Sequence, residues 1–251
     1  MSTETSASPQ DEATRLFALA QARGLTVRLL GGVAVALAAG GPLPEGLQRV
    51  YKDLDYVVAR KDAPTWALLL EASGYIPDVR FNSLHGSQRL LHYDTANSKQ
   101  LDTFVGEFAM CHVLNLERRF PKDAITLAPV DLLLTKLQIV EVNDKDLVDT
   151  VALLLTHDVG EQPRDLSPSS FAGVVGADWG WYTTITDNLA KVAARLASIP
   201  LTGEQRELVR RRVDALVDTA QAAPKSIKWR ARSVVGRRMP WYDLPEEVDP
   251  S

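Results

Sequence analysis

Apolar positions near the start of the chain recur with two different spacings, and each spacing predicts a different element. Residues 25–30 form an apolar run typical of a buried strand, and Gly31 and Gly32 separate it from a short helix of small residues. A helix is also expected over residues 8–24, and the apolar run at 53–59 predicts a second strand. The pattern therefore predicts a strand, a tight glycine turn, a helix and a second strand.

The pattern changes from mixed to helical at Pro129. A helix is predicted over residues 63–75, and short, partly alternating runs at 78–84, 88–94 and 99–106 suit neighbouring strands of a mixed sheet. From Pro129 onward, the apolar residues keep helical spacing. The predicted fold class is α/β (α+β), a mixed sheet flanked by helices and followed by a C-terminal helical region.

A cluster of prolines, serines and charged residues at 159–170 lacks apolar periodicity and predicts a linker. Residues 11–158 are predicted to form an α/β domain, and residues 171–251 a helical domain. Residues 1–10 lack the basic and apolar regions of a signal peptide and are interpreted as a disordered tail. No apolar run approaches the length that crosses a bilayer, so we expect a cytoplasmic protein without a membrane partner.

Formal charge is unevenly distributed along the chain, although the total is only −4. Residues 189–242 contain twelve basic and four acidic residues, a net charge of +8, whereas the other 16 basic and 28 acidic residues give −12. An acidic first part and a basic last part indicate different partners for the two. The single cysteine, Cys111, excludes an internal disulfide framework and a cysteine-rich zinc site.

Candidate chemistry begins with Asp53 and Asp55, two residues apart at the start of the second predicted strand. Strand alternation directs both carboxylates to one face, and hard oxygen ligands with this spacing suit Mg²⁺. If the run 99–106 lies beside this strand, its Asp102 completes a cluster of three carboxylates able to hold two divalent ions. The alternatives are a solvated strand end for the pair, and an ion pair with an arginine such as Arg89 for Asp102.

The order of these motifs resembles the nucleotidyltransferase superfamily with the DNA polymerase β-like fold. The shared features are a Gly-Gly turn that opens a helix, the pattern R-x-x-K-D-h-D-h (h, hydrophobic) at residues 49–56, and a later strand that carries Asp102. Within the superfamily, "GGVAVAL", "QRVYKDLDYVV" and "QLDTFVG" are most similar to AbiEii-like toxins, the mycobacterial MenT toxins and some aminoglycoside nucleotidyltransferases. The resemblance covers residues 25–157, within the predicted α/β domain.

The resemblance implies an enzyme that transfers a nucleoside monophosphate from an NTP to an acceptor hydroxyl and releases pyrophosphate. It also implies Mg²⁺ or Mn²⁺ as cofactor, with Asp53, Asp55 and Asp102 as metal ligands and catalytic residues. The backbone N–H groups at Gly31 and Gly32 are implied to bind the NTP, because a helix N-terminus favours a phosphate anion.

Lys136 lies on the apolar stripe of a helix predicted to begin at Pro129, where its head group either snorkels to water or contacts phosphate. AbiEii-like proteins carry a lysine in a similar helix, so the resemblance implies an NTP contact for Lys136. It also implies an additional role for Asp146 and Asp149 in the segment that follows. The alternative for these two acids is an exposed helical face shared with Lys145.

The basic last part of the chain bears on the identity of the acceptor. Two basic runs, the second with Trp229 and Trp241 interleaved, fit either a solvated helical face or a polyanionic acceptor. The toxin resemblance implies RNA, with tRNA first, as the acceptor and an antitoxin protein as a further partner. The alternatives are an aminoglycoside-type small molecule, a protein side chain, or a catalytically silent module that binds nucleotide or RNA. The candidate RNA contacts are Arg210, Arg211 and Arg212.

Overall fold

The computed structural model describes residue 5 and residues 8–244 of the chain. The described residues group into two compact units. Unit 1 takes its residues from the ranges 1–41, 49–108 and 114–128. Unit 2 takes its residues from the ranges 42–48, 109–113 and 129–251.

Unit 1 is built on a five-stranded mixed sheet. Its strands are β1 (Val27–Leu30), β2 (Leu54–Val58), β3 (Ile76–Pro77), β4 (Arg89–Asp94) and β5 (Lys99–Val105). Their order in space is β1-β2-β5-β4-β3, with β2 and β5 parallel and the other neighbouring pairs antiparallel. Four of the predicted strands correspond to β1, β2, β4 and β5. β2 and β5 are interior strands, and their apolar residues are buried, among them Leu54, Val57, Leu101 and Phe104.

The helices of unit 1 alternate with these strands along the chain. They are α1 (Pro9–Ala22), α2 (Gly31–Ala38), α3 (Ala63–Ala72) and α4 (Val79–His85). The Ser8 hydroxyl caps α1 by accepting a hydrogen bond from the Asp11 N–H at 3.3 Å. Gly24 follows the end of α1 with a φ of +69°. These are the start and stop that the sequence predicts for this helix.

Buried hydrogen bonds connect α1 and α3 to one face of the sheet. The Tyr56 hydroxyl donates to the Ala13 carbonyl at 3.0 Å, and the Trp66 Nε1–H group donates to Thr103 Oγ1 at 3.0 Å. Tyr56 and Thr103 are register partners on β2 and β5, so their side chains share this face. The side chains one position earlier on both strands therefore lie on the opposite face.

One predicted strand, at residues 78–84, is wrong, because this segment forms α4. The Asp78 carboxylate accepts a hydrogen bond from the Phe81 N–H at 2.9 Å and so caps the first turn of the helix. Its apolar residues Val79 and Leu84 are each 71% exposed. Alternation predicts a strand only where one face is buried, and this segment has no such face.

Unit 2 is helical. Its helices are α5 (Pro129–Leu137), α6 (Asp144–Thr156), α7 (Pro168–Ala177), α8 (Trp179–Arg195), α9 (Gly203–Ala222) and α10 (Ile227–Val235). Short 3-10 helices occur at Arg60–Asp62 in unit 1 and at Glu45–Leu47, Leu196–Ser198 and Gly236–Arg238 in unit 2. Two further short strands, β6 (Glu107–Ala109) and β7 (Val113–Asn115), form a separate two-stranded sheet. The mixed sheet, its flanking helices and the helical region that follows confirm the predicted fold class.

The boundary between the two units before Pro129 does not coincide with the predicted linker at 159–170. Helices α5 and α6, which precede that segment, belong to unit 2. The predicted linker itself contains the loop between α6 and α7 and the start of α7, all within unit 2.

No helix in the described part of the chain is both long enough and apolar enough to span a bilayer.

Candidate functional site

The turn between β1 and α2 is built around Gly31. Its φ of +73° lies in the left-handed region, which glycine adopts without strain. A Cβ atom added to Gly31 would overlap the Asp55 carboxylate, since Leu30 and Asp55 are register partners on β1 and β2. Glycine is therefore required both for the backbone turn and for the close approach of Asp55.

Gly32 allows a second close approach, by Arg49. A Cβ atom added to Gly32 would overlap the Arg49 guanidinium and would lie 3.0 Å from the Tyr51 ring. The Arg49 guanidinium carbon is 4.6 Å from the centroid of that ring, a cation–π distance. Arg49 is the arginine of the R-x-x-K-D-h-D-h pattern, but the sequence alone indicated no role for it. The structure adds it to the site as a cation beside the first turn of α2.

Asp53 and Asp55 differ in exposure, and Asp55 lies opposite Asp102. Asp53 precedes β2 and is exposed, whereas Asp55 is a half-buried residue of β2. Asp55 and Asp102 are register partners on the parallel strands β2 and β5. Directly opposite residues on neighbouring strands direct their side chains to the same face. The structure therefore meets the condition, adjacent strands, on which the predicted carboxylate cluster depends.

Both oxygens of Asp102 accept hydrogen bonds from neighbouring side chains. Asp102 is 4% exposed. The Nε and Nη2 atoms of Arg89 each lie 2.7 Å from its Oδ1 atom. Gln100 Nε2 donates to its Oδ2 atom at 2.7 Å. The ion pair with Arg89, the alternative expected for Asp102 from the sequence, is therefore present in the structure.

These contacts determine how well the residues fit a divalent cation. Asp53 and Asp55 supply carboxylate oxygens, the ligands that Mg²⁺ and Mn²⁺ prefer. Among the described residues, however, no three His, Cys, Asp or Glu side chains are grouped so that they could hold a metal ion. Asp53 and Asp55 therefore have the chemistry to bind a divalent cation. The carboxylate of Asp102 is instead paired with Arg89. Metal binding and catalysis by the three aspartates stay predictions.

Lys136 lies in unit 2, where it forms an ion-pair cluster with Asp146 and Asp149. Its Nζ atom on α5 is 2.7 Å from Asp146 Oδ1 and 2.9 Å from Asp149 Oδ2, both on α6. The Asp149 side chain is only 2% exposed, so these acids are not the exposed pair considered from the sequence. Burial lowers the pKa of Lys136, but Asp149 and Asp146 more than offset this and raise it overall. The ammonium stays charged, and its contact with NTP stays a prediction.

The three arginines predicted to contact RNA have different environments in unit 2. Arg210 and Arg211 are exposed on α9. The Arg212 side chain is 13% exposed, donates to the carbonyls of residues 154–155 at 2.9 Å, and pairs with Asp158. It therefore satisfies carbonyl groups at the C-terminal end of α6, a structural role in unit 2.

The tryptophans of the basic region pack against other rings of unit 2. Trp229 meets the Tyr182 ring edge-on at a centroid distance of 5.4 Å. Trp241 meets Trp179 edge-on at 6.1 Å, and its Nε1–H group donates to Thr184 Oγ1 at 3.1 Å. These contacts assign both rings a packing role in the basic region.

Comparison with known proteins finds similar solved structures but no similar sequence. No protein-family model matches the sequence, and no curated protein sequence matches it. Among solved structures, the lincomycin-bound lincosamide antibiotic adenylyltransferase LnuA is 18% identical, with a TM-score of 0.42. The match covers 57% of this chain and 94% of LnuA.

Two Helicobacter pylori structures are similar over more of the chain. JHP933 is 14% identical with a TM-score of 0.36, and the match covers 93% of this chain and 98% of JHP933. A protein with a provisional nucleotidyltransferase assignment is 13% identical with a TM-score of 0.38, and the match covers 90% of this chain and 96% of that one. At these values the likeness carries no argument about activity.

Proposed function

We propose that the chain is a metal-dependent nucleotidyltransferase, which transfers a nucleoside monophosphate from an NTP to an acceptor hydroxyl. The observation that carries the proposal is the position of Asp55. Its carboxylate lies against the left-handed Gly31 at the start of a helix and opposite Asp102 on a parallel strand. This arrangement combines carboxylate ligands for a divalent cation with helix N–H donors for a phosphate.

The proposed reaction is an in-line displacement at the α-phosphorus of the NTP. The acceptor oxygen bonds to that phosphorus, the bond to the bridging oxygen breaks, and pyrophosphate leaves with the bonding electrons. Asp102 accepts the proton of the acceptor hydroxyl, acting as a general base. Asp53, Asp55 and Asp102 would hold Mg²⁺ or Mn²⁺, which would neutralise the phosphate charge.

The triphosphate is proposed to bind at the first turn of α2. Gly31 and Gly32 contribute the backbone N–H groups there, and the helix dipole favours an anion. Arg49, beside Gly32, contributes positive charge to the same place. The resemblance also implies a phosphate contact for Lys136, which in unit 2 is paired with Asp146 and Asp149.

We propose RNA, with tRNA first, as the acceptor, which would make the protein the cytoplasmic toxin partner of an antitoxin. Support comes from the +8 charge of residues 189–242 and from exposed cations within them. Arg210 and Arg211 are exposed, and Lys228 has an 85% exposed side chain. Exposed cations bind RNA through its phosphates, so this binding should weaken as salt rises. An aminoglycoside-type molecule and a protein hydroxyl are the other acceptors to test.

A catalytically silent module that binds nucleotide or RNA is the second candidate. The observation that favours it is the ion pair between Arg89 and Asp102, which engages the carboxylate proposed as the general base. The two candidates differ in one measurable property, the formation of a covalent bond between the nucleotide and an acceptor.

The test incubates the full chain with Mg²⁺, each α-labelled NTP in turn, and either total RNA, protein extract or aminoglycosides. We expect label to enter the RNA and pyrophosphate to be released. We expect Asp55→Asn to abolish the transfer, because losing one carboxylate charge weakens the proposed metal site. Glu71→Gln is the matched control, since it neutralises an exposed acid on α3 of the same unit.

The outcomes separate the proposals. Label in no acceptor, together with binding of NTP, supports the silent module. Label in aminoglycosides or protein alone overturns the RNA acceptor but supports the reaction. Equal transfer by the Asp55→Asn and Glu71→Gln variants would show that Asp55 is not part of the site.

A further inference from the structure

The charge of Asp102 is compensated within the protein by Arg89. The guanidinium meets Asp102 Oδ1 through both Nε and Nη2 at 2.7 Å, while Gln100 occupies Oδ2. Asp102 faces Asp55 across two strands that lie about 4.8 Å apart in sheets of this kind. Like charges directly opposite each other destabilise a sheet. Arg89 therefore offsets a repulsion that the register of β2 and β5 creates.

Arg89 is held in this orientation by its strand and by two aromatic rings. Its neighbour two positions along β4, Leu91, is the register partner of Asp102, so Arg89 and Asp102 lie on the same face of the sheet. The guanidinium carbon lies 5.1 Å from the Phe104 ring centroid and 5.8 Å from that of Phe81. The Arg89 side chain is 22% exposed. The rings and the ion pair together restrict its freedom to move away from Asp102.

We infer that Arg89 is a positioning residue that sets the affinity of the aspartate site for a divalent cation. The inference rests on the proposed function, in which Asp53, Asp55 and Asp102 bind that cation. Arg89 holds Asp102 in place. Its positive charge, however, lies beside the carboxylate that a cation would also approach. Since charges of like sign repel, Arg89 lowers cation affinity. The same residue stabilises the protein when no cation is bound.

The inference predicts opposite effects of one substitution on two properties. In the Arg89→Met variant, the side chain keeps much of its length and its apolar contacts but loses its charge. We expect this variant to bind Mn²⁺ about tenfold more tightly than the original chain, since a single nearby charge has an effect of this order. We also expect it to melt at a lower temperature in the absence of metal, because Asp55 and Asp102 then repel each other. A purely structural arginine would change only the melting temperature.

The experiment measures Mn²⁺ binding to the full chain by electron paramagnetic resonance, without nucleotide. Arg60→Met is the matched control, because Arg60 forms an ion pair with Glu107 in the same unit. We expect its Mn²⁺ affinity to equal that of the original chain. Arg89→Lys provides a second variant that keeps the charge, and we expect its affinity to stay within about twofold of the original. If Arg89→Met does not fold, Arg89→Gln replaces it, with the same expected direction.

The results distinguish failure of this inference from failure of the proposed function. Mn²⁺ binding that is lost in Asp55→Asn but unchanged or weakened in Arg89→Met overturns the inference and leaves the metal site intact. Absence of Mn²⁺ binding in both the original chain and Arg89→Met overturns the metal site itself. Tighter binding by Arg89→Met, with unchanged binding by Arg60→Met, supports the inference.

Discussion

Replacing Gly31 with alanine should destabilise the protein more than the same change at Gly24. Both glycines have a left-handed backbone, with φ of +73° at Gly31 and +69° at Gly24. They differ in what an added Cβ atom would meet. At Gly24 there is no atom within 4 Å, whereas at Gly31 the new atom would overlap the Asp55 carboxylate. Gly24→Ala is therefore a matched control, because it introduces the same backbone strain but no overlap with another side chain.

The magnitude follows from these two contributions. Left-handed backbone costs an alanine about 1–2 kcal/mol, and this cost is common to both variants. The collision adds about 1–3 kcal/mol at Gly31, the usual cost of overpacking. Rotation of the carboxylate does not remove it, because the Asp55 Cβ atom would itself lie 3.0 Å from the added carbon. We therefore expect Gly31→Ala to cost about 2 kcal/mol more than Gly24→Ala.

Urea-induced unfolding followed by circular dichroism measures this difference. In thermal melts, about 2 kcal/mol corresponds to a Tm lower by about 4–8 °C in a chain of this size. Equal loss of stability in the two variants would refute the close contact between Gly31 and Asp55. Their shared backbone strain would then be the only role of glycine at this turn.

Two further predictions concern buried charged or titratable groups. Burial lowers the pKa of His92 to about 4, so only the unfolded chain gains a proton there as pH falls below about 6.5. Between pH 7.5 and 5, this residue should therefore lower the free energy of unfolding by about 2 kcal/mol. The His92→Leu variant should lack that part of the loss in urea titrations. An unchanged loss would contradict the lowered pKa of His92. Lys136→Met should cost about 3–5 kcal/mol, because it leaves the buried Asp149 carboxylate without its lysine. Adding Asp149→Leu to Lys136→Met should restore most of this stability in the same assay. If Lys136→Met alone were as stable as the original chain, the buried ion pair would be refuted.

The local chemistry of the site was predictable because its signals lie close together in sequence. Gly31 at the end of an apolar run predicted a tight turn, and the turn has the positive φ that requires glycine. The two-residue spacing of Asp53 and Asp55 marked them as a pair from the sequence alone. The strand that carries Asp102 was also predicted, because its apolar residues reach both faces of an interior strand.

The partners of these residues were harder to predict, because they come from distant positions. Arg89 was named only as an example of a possible partner for Asp102, and the antiparallel register of β4 and β5 makes the pair possible. Arg49 was part of a recognised pattern, yet its contact with Gly32 depends on the path of the chain between α2 and β2. No local spacing specifies such a path.

The same distinction explains the errors and revisions. The alternating residues at 78–84 form α4, because Asp78 caps a helix and the segment has no buried face. Arg212 belongs to a basic run in the sequence, but it donates to the carbonyls of residues 154–155. The local sequence specifies neither the exposure of the first segment nor the burial of Arg212, and the RNA contact of Arg212 stays a prediction.

The sequence by itself determined most of the element types, the glycine turn and the residues that could bind a cation, because each depends mainly on neighbours within a few positions. The tertiary structure decided which charges meet. It paired Asp102 with Arg89 and placed Lys136 between Asp146 and Asp149. Strand register and helix packing bring such groups together, and the electrostatic energy of a charge depends on the distance to its partners and on burial. Both quantities exist only once the chain has folded.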